Sequence, residues 1–252
     1  RQERARRTVD RDILRLAVPS LGALIAEPMF LLVDSSFIAR VSTTSLAGLG
    51  LASTVLTTIV GLAIFLAYST TAAVARSFGA GRAQEAIARG IDACWLALVV
   101  GAFSTAGLLI AGEPLLAAFG PSEEVLAEAV IYLHISAWGL PAMLAVQAAT
   151  GLVRGLQDAK LPLIVAVGGA LANIPLNAIL IFGLDLGIAG SAIGTIICQW
   201  GMALVLLGVI VRRARQEDIP LLPQLSNLVA VGRDAVPMFV RTLGLRAVVI
   251  TA

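Results

Sequence analysis

The chain has 252 residues, 58% of them hydrophobic and only 13% charged, with a mean hydropathy of +0.93 and a net charge of +2. A soluble domain is about half apolar and a quarter charged, so this composition excludes an ordinary soluble enzyme or binding domain and calls for lipid. The small net charge informs only once it is resolved along the chain.

Residues 1–13 form a basic opening rich in arginine. It leads into an apolar run too long for a cleavable signal peptide and without a small-residue cleavage site. The first residue is Arg, which implies that a few initial residues are missing. A spanning helix needs about 20 apolar residues. Six runs meet that length: Leu14–Ala39, Leu46–Val74, Ile91–Ala111, Ala127–Leu152, Leu161–Leu184 and Ile188–Val211. They are continuous and rich in Ala, Leu and Gly, so they read as helices and not as the alternating strands of a barrel. Residues 14–211 are therefore expected to form a six-helix transmembrane lobe. Residues 212–234, polar and carrying Pro220 and Pro223, read as a linker. A seventh helix starts at Ala235 and stops short at Ala252.

The first span holds two carboxylates, Glu27 and Asp34, with no Lys or Arg between them. An acid inside a lipid-spanning helix costs roughly 2.5–3.5 kcal/mol. Seven residues is close to two turns, so both acids lie on nearly one face, about 10 Å apart along the axis. Such acids face a cavity or a partner and mark a proton or ion site by default; a structural pair satisfied by neighbouring helices is the alternative.

Basic residues alternate along the loops. Arg76, Arg82 and Arg89 separate the second and third spans, Arg154 and Lys160 the fourth and fifth, and Arg212, Arg213 and Arg215 follow the sixth. The intervening loops hold Arg40 with Glu113, Glu123, Glu124 and Asp185. Basic loops stay in the cytoplasm, so the N-terminus and the linker are expected there, in a bacterial inner membrane. Each Arg cluster abuts a span, which argues against nucleic-acid binding. Cys94 and Cys198 fall inside apolar spans and read as small buried hydrophobes. His134 has no Cys or His neighbour, so no metal site or cofactor is expected. There is no nucleophile–base pair or phosphate loop, and the chain does not read as an enzyme. Arg15-Leu16-Ala17-Val18-Pro19 and Arg233-Asp234-Ala235-Val236-Pro237 read as the start of a repeat, and parallel repeats are a known transporter plan.

Four sequence runs are similar to a family. They are Pro19 followed by Leu32-Val33-Asp34-Ser35; Leu46-Ala47-Gly48-Leu49-Gly50; Gly151-Leu152-Val153-Arg154-Gly155-Leu156-Gln157-Asp158-Ala159-Lys160-Leu161-Pro162; and Asn173-Ile174-Pro175-Leu176-Asn177 with Gly187-Ile188-Ala189-Gly190-Ser191-Ala192. The chain resembles the multidrug and toxic compound extrusion transporters, especially their DNA-damage-inducible F-like branch. The resemblance implies twelve helices in two lobes, of which this chain holds one lobe and the start of the other. It implies export of small organic, often cationic, compounds in exchange for protons or sodium ions. Asp34 matches the family's coupling acid, Asn173 an asparagine of the fifth helix, and Thr195 a hydroxyl that accompanies the centre. Asn177 stands where some members carry a second acid, which favours a proton over sodium. Pro19 matches a proline at which the first helix bends. The expected partners are membrane lipid, small organic substrates, a coupling cation and a C-terminal lobe absent from this sequence.

The residues themselves agree in part. Asp34 is charged or neutral according to its proton. Asn173 and Asn177, four apart, share a helix face and offer amides to a carboxylate; interhelical hydrogen-bond glue is the other reading. Glu27 reads as part of a polar path or as a structural pair. Arg154 and Asp158, at the cytoplasmic helix end, read as a loop ion pair, with gating as the second option. Trp95, Trp138 and Trp200 read as interface anchors or pocket walls. A lipid-linked precursor flippase and a non-transporting assembly subunit are the competing functions. The first wants a cationic cavity, and the second needs no buried acid.

Overall fold

The computed structural model describes residues 31–223 together with Leu21, Ile25 and Met29. Pro19, Glu27, Pro28, the end of the linker and the seventh helix lie outside these residues. The described chain is helical, without strands. Helix α1 covers residues 31–38. It is followed by α2 (Thr43–Ala63), α3 (Phe65–Gly79), α4 (Ala83–Ala117), α5 (Glu123–Ala137), α6 (Leu140–Gly155), α7 (Lys160–Ala178) and α8 (Gly187–Gln216). The expected all-α membrane bundle is observed, and the chain is a multi-pass integral membrane protein.

Single hydropathic runs are interrupted in two places. The second run divides into α2 and α3 at Ile64. The fourth divides into α5 and α6, which meet at 50° across Trp138 and Gly139. Pro141 sits in the first turn of α6, where its missing N–H breaks no helical bond. The fifth span ends in a π-helical turn, Ile179–Gly183, beyond Pro175. Pro175 withdraws one donor from the helical ladder, and the wider turn follows directly. The sixth span runs on to Gln216 instead of ending at Val211. Arg212, Arg213 and Arg215 thus extend the helix past its apolar section.

Caps fix the ends. Ser42 and Ser122 accept N–H bonds from Ser45 and Val125, at 2.9 and 3.4 Å, and so start α2 and α5. Gly81, at φ +76, provides the left-handed residue that turns the chain from α3 into α4.

Helix α6 is the axis of the bundle and packs on α3, α4 and α8; α2 packs on α5, and α7 on α8. Two apolar clusters result. One gathers Leu66, Val74, Ile87, Leu144, Leu152 and Leu206 near the basic end. The other gathers Ile38, Leu49, Leu108, Leu133, Leu140 and Ile181 toward the opposite end. Phe103, Ile110 and Ile164 point outward, at 75%, 83% and 66% exposure, as a lipid-facing surface requires. Small residues set the helix spacing. A Cβ on Gly48 would fall 2.7 Å from Glu128 Cβ, so α2 and α5 meet at that point. Gly50 and Gly168 face open space and take no part in such contacts.

Candidate functional site

Four residues expected at a cation centre come together from three helices. Asp34 lies on α1, Asn173 and Asn177 on α7, and Thr195 on α8. Asp34 is 2% exposed, the two asparagines 0% and Thr195 9%. Asn177 Nδ2 donates to Asp34 Oδ1, and Thr195 Oγ1 donates to Asp34 Oδ2 at 2.9 Å. Both carboxylate oxygens therefore accept, as an ionised acid requires. The asparagines are joined in turn: Asn177 Nδ2 donates to Asn173 Oδ1 at 3.1 Å, and Asn173 Nδ2 to Thr195 Oγ1 at 3.4 Å.

Local sequence makes this possible. Asn173 and Asn177 stand one turn apart, on one face of α7. Gly194 lies opposite Asn177, and any Cβ there would overlap its Oδ1. Gly190 lets α8 approach the π-helical turn, where a Cβ would fall 2.8 Å from the Leu180 carbonyl carbon. The Asn–x–x–x–Asn pair and the glycines of α8 thus act together.

The structure adds residues that single positions in apolar helices do not reveal. Tyr132 of α5 places its hydroxyl beside Ser53, Ser136 and Ser191 and within electrostatic range of Asp34. Inside the apolar run Ala127–Leu152 its ring carries no periodic signal of its own. The only usable hint is that Tyr132 and Ser136 are four apart on one face.

Asp34 opens onto a cavity of about 230 Å³ lined by residues of α1, α2, α3, α5, α6, α7 and α8. Both interrupted spans line it, through Ile64 and Met143. Drug-sized pockets run to roughly 300–1,000 Å³, so the cavity accepts a narrow molecule or one end of a larger one. Gln199 and Arg154 also line it. Asp158 is exposed and accepts N–H bonds from Lys160 and Leu161, at 3.0 and 3.2 Å. It thereby caps α7, while Arg154 turns to the cavity. The tryptophans are absent from the cavity wall. Trp200 Nε1 donates to the Trp138 carbonyl at 3.1 Å and Trp95 Nε1 to the Leu221 carbonyl at 2.9 Å. Cys94 and Cys198 are buried and unbonded to each other. Among the described residues, no group of three or more His, Cys, Asp or Glu gathers closely enough to hold a metal.

A family model named MatE matches residues 19–179, which include Asp34 and both asparagines. The chain belongs to the MatE family. Among its relatives, DNA damage-inducible protein F of Escherichia coli K12 is 31% identical over 205 residues, which are 81% of this chain and 44% of that protein. Multidrug resistance protein MdtK of Yersinia pestis is 28% identical over 216 residues, 84% of this chain and 47% of that protein. A solved multidrug resistance MATE family transporter in an outward-facing conformation superposes with a TM-score of 0.84 at 26% identity, covering 95% of this chain and 54% of that one. This MatE chain spans about half the length of the relatives it matches. The family consists of transporters, not enzymes.

Proposed function

We propose that this chain is the N-terminal part of a twelve-helix multidrug efflux antiporter. It exports small organic, often cationic, compounds in exchange for protons, with Asp34 as the coupling carboxylate. The observation that carries this reading is the Asp34 carboxylate, buried, doubly hydrogen-bonded and set in the cavity wall. A structural acid has no need of a cavity.

The hydrogen bonds suggest where the proton goes. A protonated acid must donate from one oxygen. Asn177 Nδ2 can only donate, so Oδ1 keeps its acceptor role while that amide stays in place. The Thr195 hydroxyl can rotate, accept from Oδ2, and send its own hydrogen to the carbonyl one turn back. Oδ2 is thus the site of protonation, and Thr195 is the switching partner. Neutral Asp34 holds α7 and α8 less firmly than the charged form does, because hydrogen bonds to an ionised acceptor are about twice as strong as neutral ones. The proton thereby biases the packing of α1 against α7 and α8. A bend at Pro19 and a polar approach through Glu27 would extend the change along the first helix. Cavity affinity for the exported compound then differs between the two states, which is what exchange requires.

Asn177 in place of a second acid supports a proton over sodium, since added negative charge offsets the dehydration of a metal cation. The basic loop charges support a bacterial inner-membrane location with the N-terminus and the basic helix ends in the cytoplasm. Its partners are lipid, organic substrates, the coupling cation and the C-terminal lobe. The test is dye export by the full-length protein in liposomes, under a pH gradient without sodium and under a sodium gradient without a pH difference. Export is expected in the first case. Export only in the second overturns the choice of ion, and export in neither overturns the transport reading.

A further inference from the structure

We propose that a groove at the basic end of the bundle binds a zwitterionic aminophospholipid of the phosphatidylethanolamine type. Its ammonium sits on Asp158, its phosphate on Arg213, and an acyl chain runs along α8. The inference goes beyond the transport reading and does not depend on it.

The groove, of about 30 Å³, is lined by residues of α4, α6, α7, α8 and the turn that joins α6 to α7. Ile87, Leu152 and Ile210 are buried and give it an apolar floor. Asp158 and Arg213 line it too, and both are exposed. Among the described residues the ion pairs are those of Glu85 with Arg82 and Arg89. Asp158 and Arg213 thus share a groove without being held in a salt bridge.

Asp158 is fixed in place by its own turn. Its backbone N–H donates to the Val153 carbonyl at 3.0 Å. Its Oδ1 accepts the two N–H bonds that start α7, while Oδ2 takes no part in that cap. Arg213 lies in the last turn of α8. A helix start favours a negative charge and a helix end a positive one, which accounts for each residue singly. It does not account for two opposite, unjoined charges over one apolar floor.

Depth points to lipid. Val209 is the last large hydrophobic residue of α8 that is exposed; Val205, also exposed, precedes it by one turn, and Arg213 follows it by one turn. Exposed apolar side chains of a spanning helix meet acyl chains, so Arg213 stands where hydrocarbon gives way to headgroups. The groove is too shallow to enclose a solute, whereas a phospholipid is already concentrated beside it. A headgroup with negative charge alone would face the Asp158 carboxylate unfavourably. A choline headgroup has no N–H to donate. Ethanolamine brings an ammonium with three donors, next to a phosphate that fits the guanidinium fork.

The test uses the full-length protein in detergent with phosphatidylethanolamine, phosphatidylcholine and phosphatidylglycerol of identical acyl chains. Bound lipid is counted by native mass spectrometry across a titration. A charge-assisted contact made by one headgroup alone should favour phosphatidylethanolamine by about tenfold over the other two. Asp158→Asn keeps a capping oxygen and should bring phosphatidylethanolamine level with phosphatidylcholine. Arg213→Gln should weaken phosphatidylethanolamine by a similar factor. Arg215→Gln removes an exposed cation outside the groove and should leave the preference intact. Tighter retention of phosphatidylglycerol, or equal losses from Arg213→Gln and Arg215→Gln, would mean a diffuse basic field and overturn the site. So would a preference that survives Asp158→Asn, or retention of none of the three lipids, which would mean that another part of the protein covers the groove.

Discussion

Thr195 Oγ1 donates to Asp34 Oδ2 across 2.9 Å, tying α8 to α1 through a bond whose direction can reverse. Thr195→Val keeps the shape of the side chain and removes that bond. Proton-driven export should fall about tenfold or more, in line with roughly 1–3 kcal/mol for an unsatisfied buried group. Thr195→Ser should retain most activity. Equal export by the serine and valine variants would remove Thr195 from the coupling step.

Gly194 faces the Asn177 amide with no room for a side chain. Gly194→Ala should displace Asn177 and loosen its hold on Asp34. Overpacking of this kind costs about 1–3 kcal/mol, read as a lower unfolding temperature in detergent together with slower export. Full stability and full export in the alanine variant would show that the amide has other places to go.

Leu144 is fully buried in the cluster near the basic end, and Leu133 in the other. Each substitution by alanine should cost about 2–5 kcal/mol. Because the two clusters are separate, the double variant should lose close to the sum. A strongly non-additive result would mean that they unfold as one coupled core.

Orientation rests on loop charge. A single cysteine placed near Glu123 should react with an impermeant reagent added outside intact cells, and one near Arg82 should not. Labelling in the opposite pattern would invert the bundle.

Much of this was legible in the sequence for a physical reason. In lipid every backbone polar group must bond within its own helix, so apolar run length alone locates the spans. An acid in such a run is costly enough to stand out, and Asp34, Asn173, Asn177 and Thr195 do converge. What was not legible depends on packing. The breaks at Ile64 and at Trp138–Gly139 occur within apolar runs and leave no trace in hydropathy, yet they shape the cavity. Tyr132, Ser53 and Ser136 are ordinary residues in helices until two helices bring them together. Arg154 sits among loop charges in the sequence, and only the turn of α6 shows that it faces inward.

The most direct measurement concerns Asp34 itself. Asp34→Asn preserves size and removes both the charge and the site of protonation. Full-length wild-type and variant proteins are reconstituted at equal density, confirmed by insertion assay, and dye movement is followed as a pH gradient is imposed in sodium-free buffer. The account predicts that the wild type exports dye, that a protonophore abolishes it, and that the variant inserts normally yet shows no gradient-driven export. Undiminished proton-driven export by Asp34→Asn contradicts it.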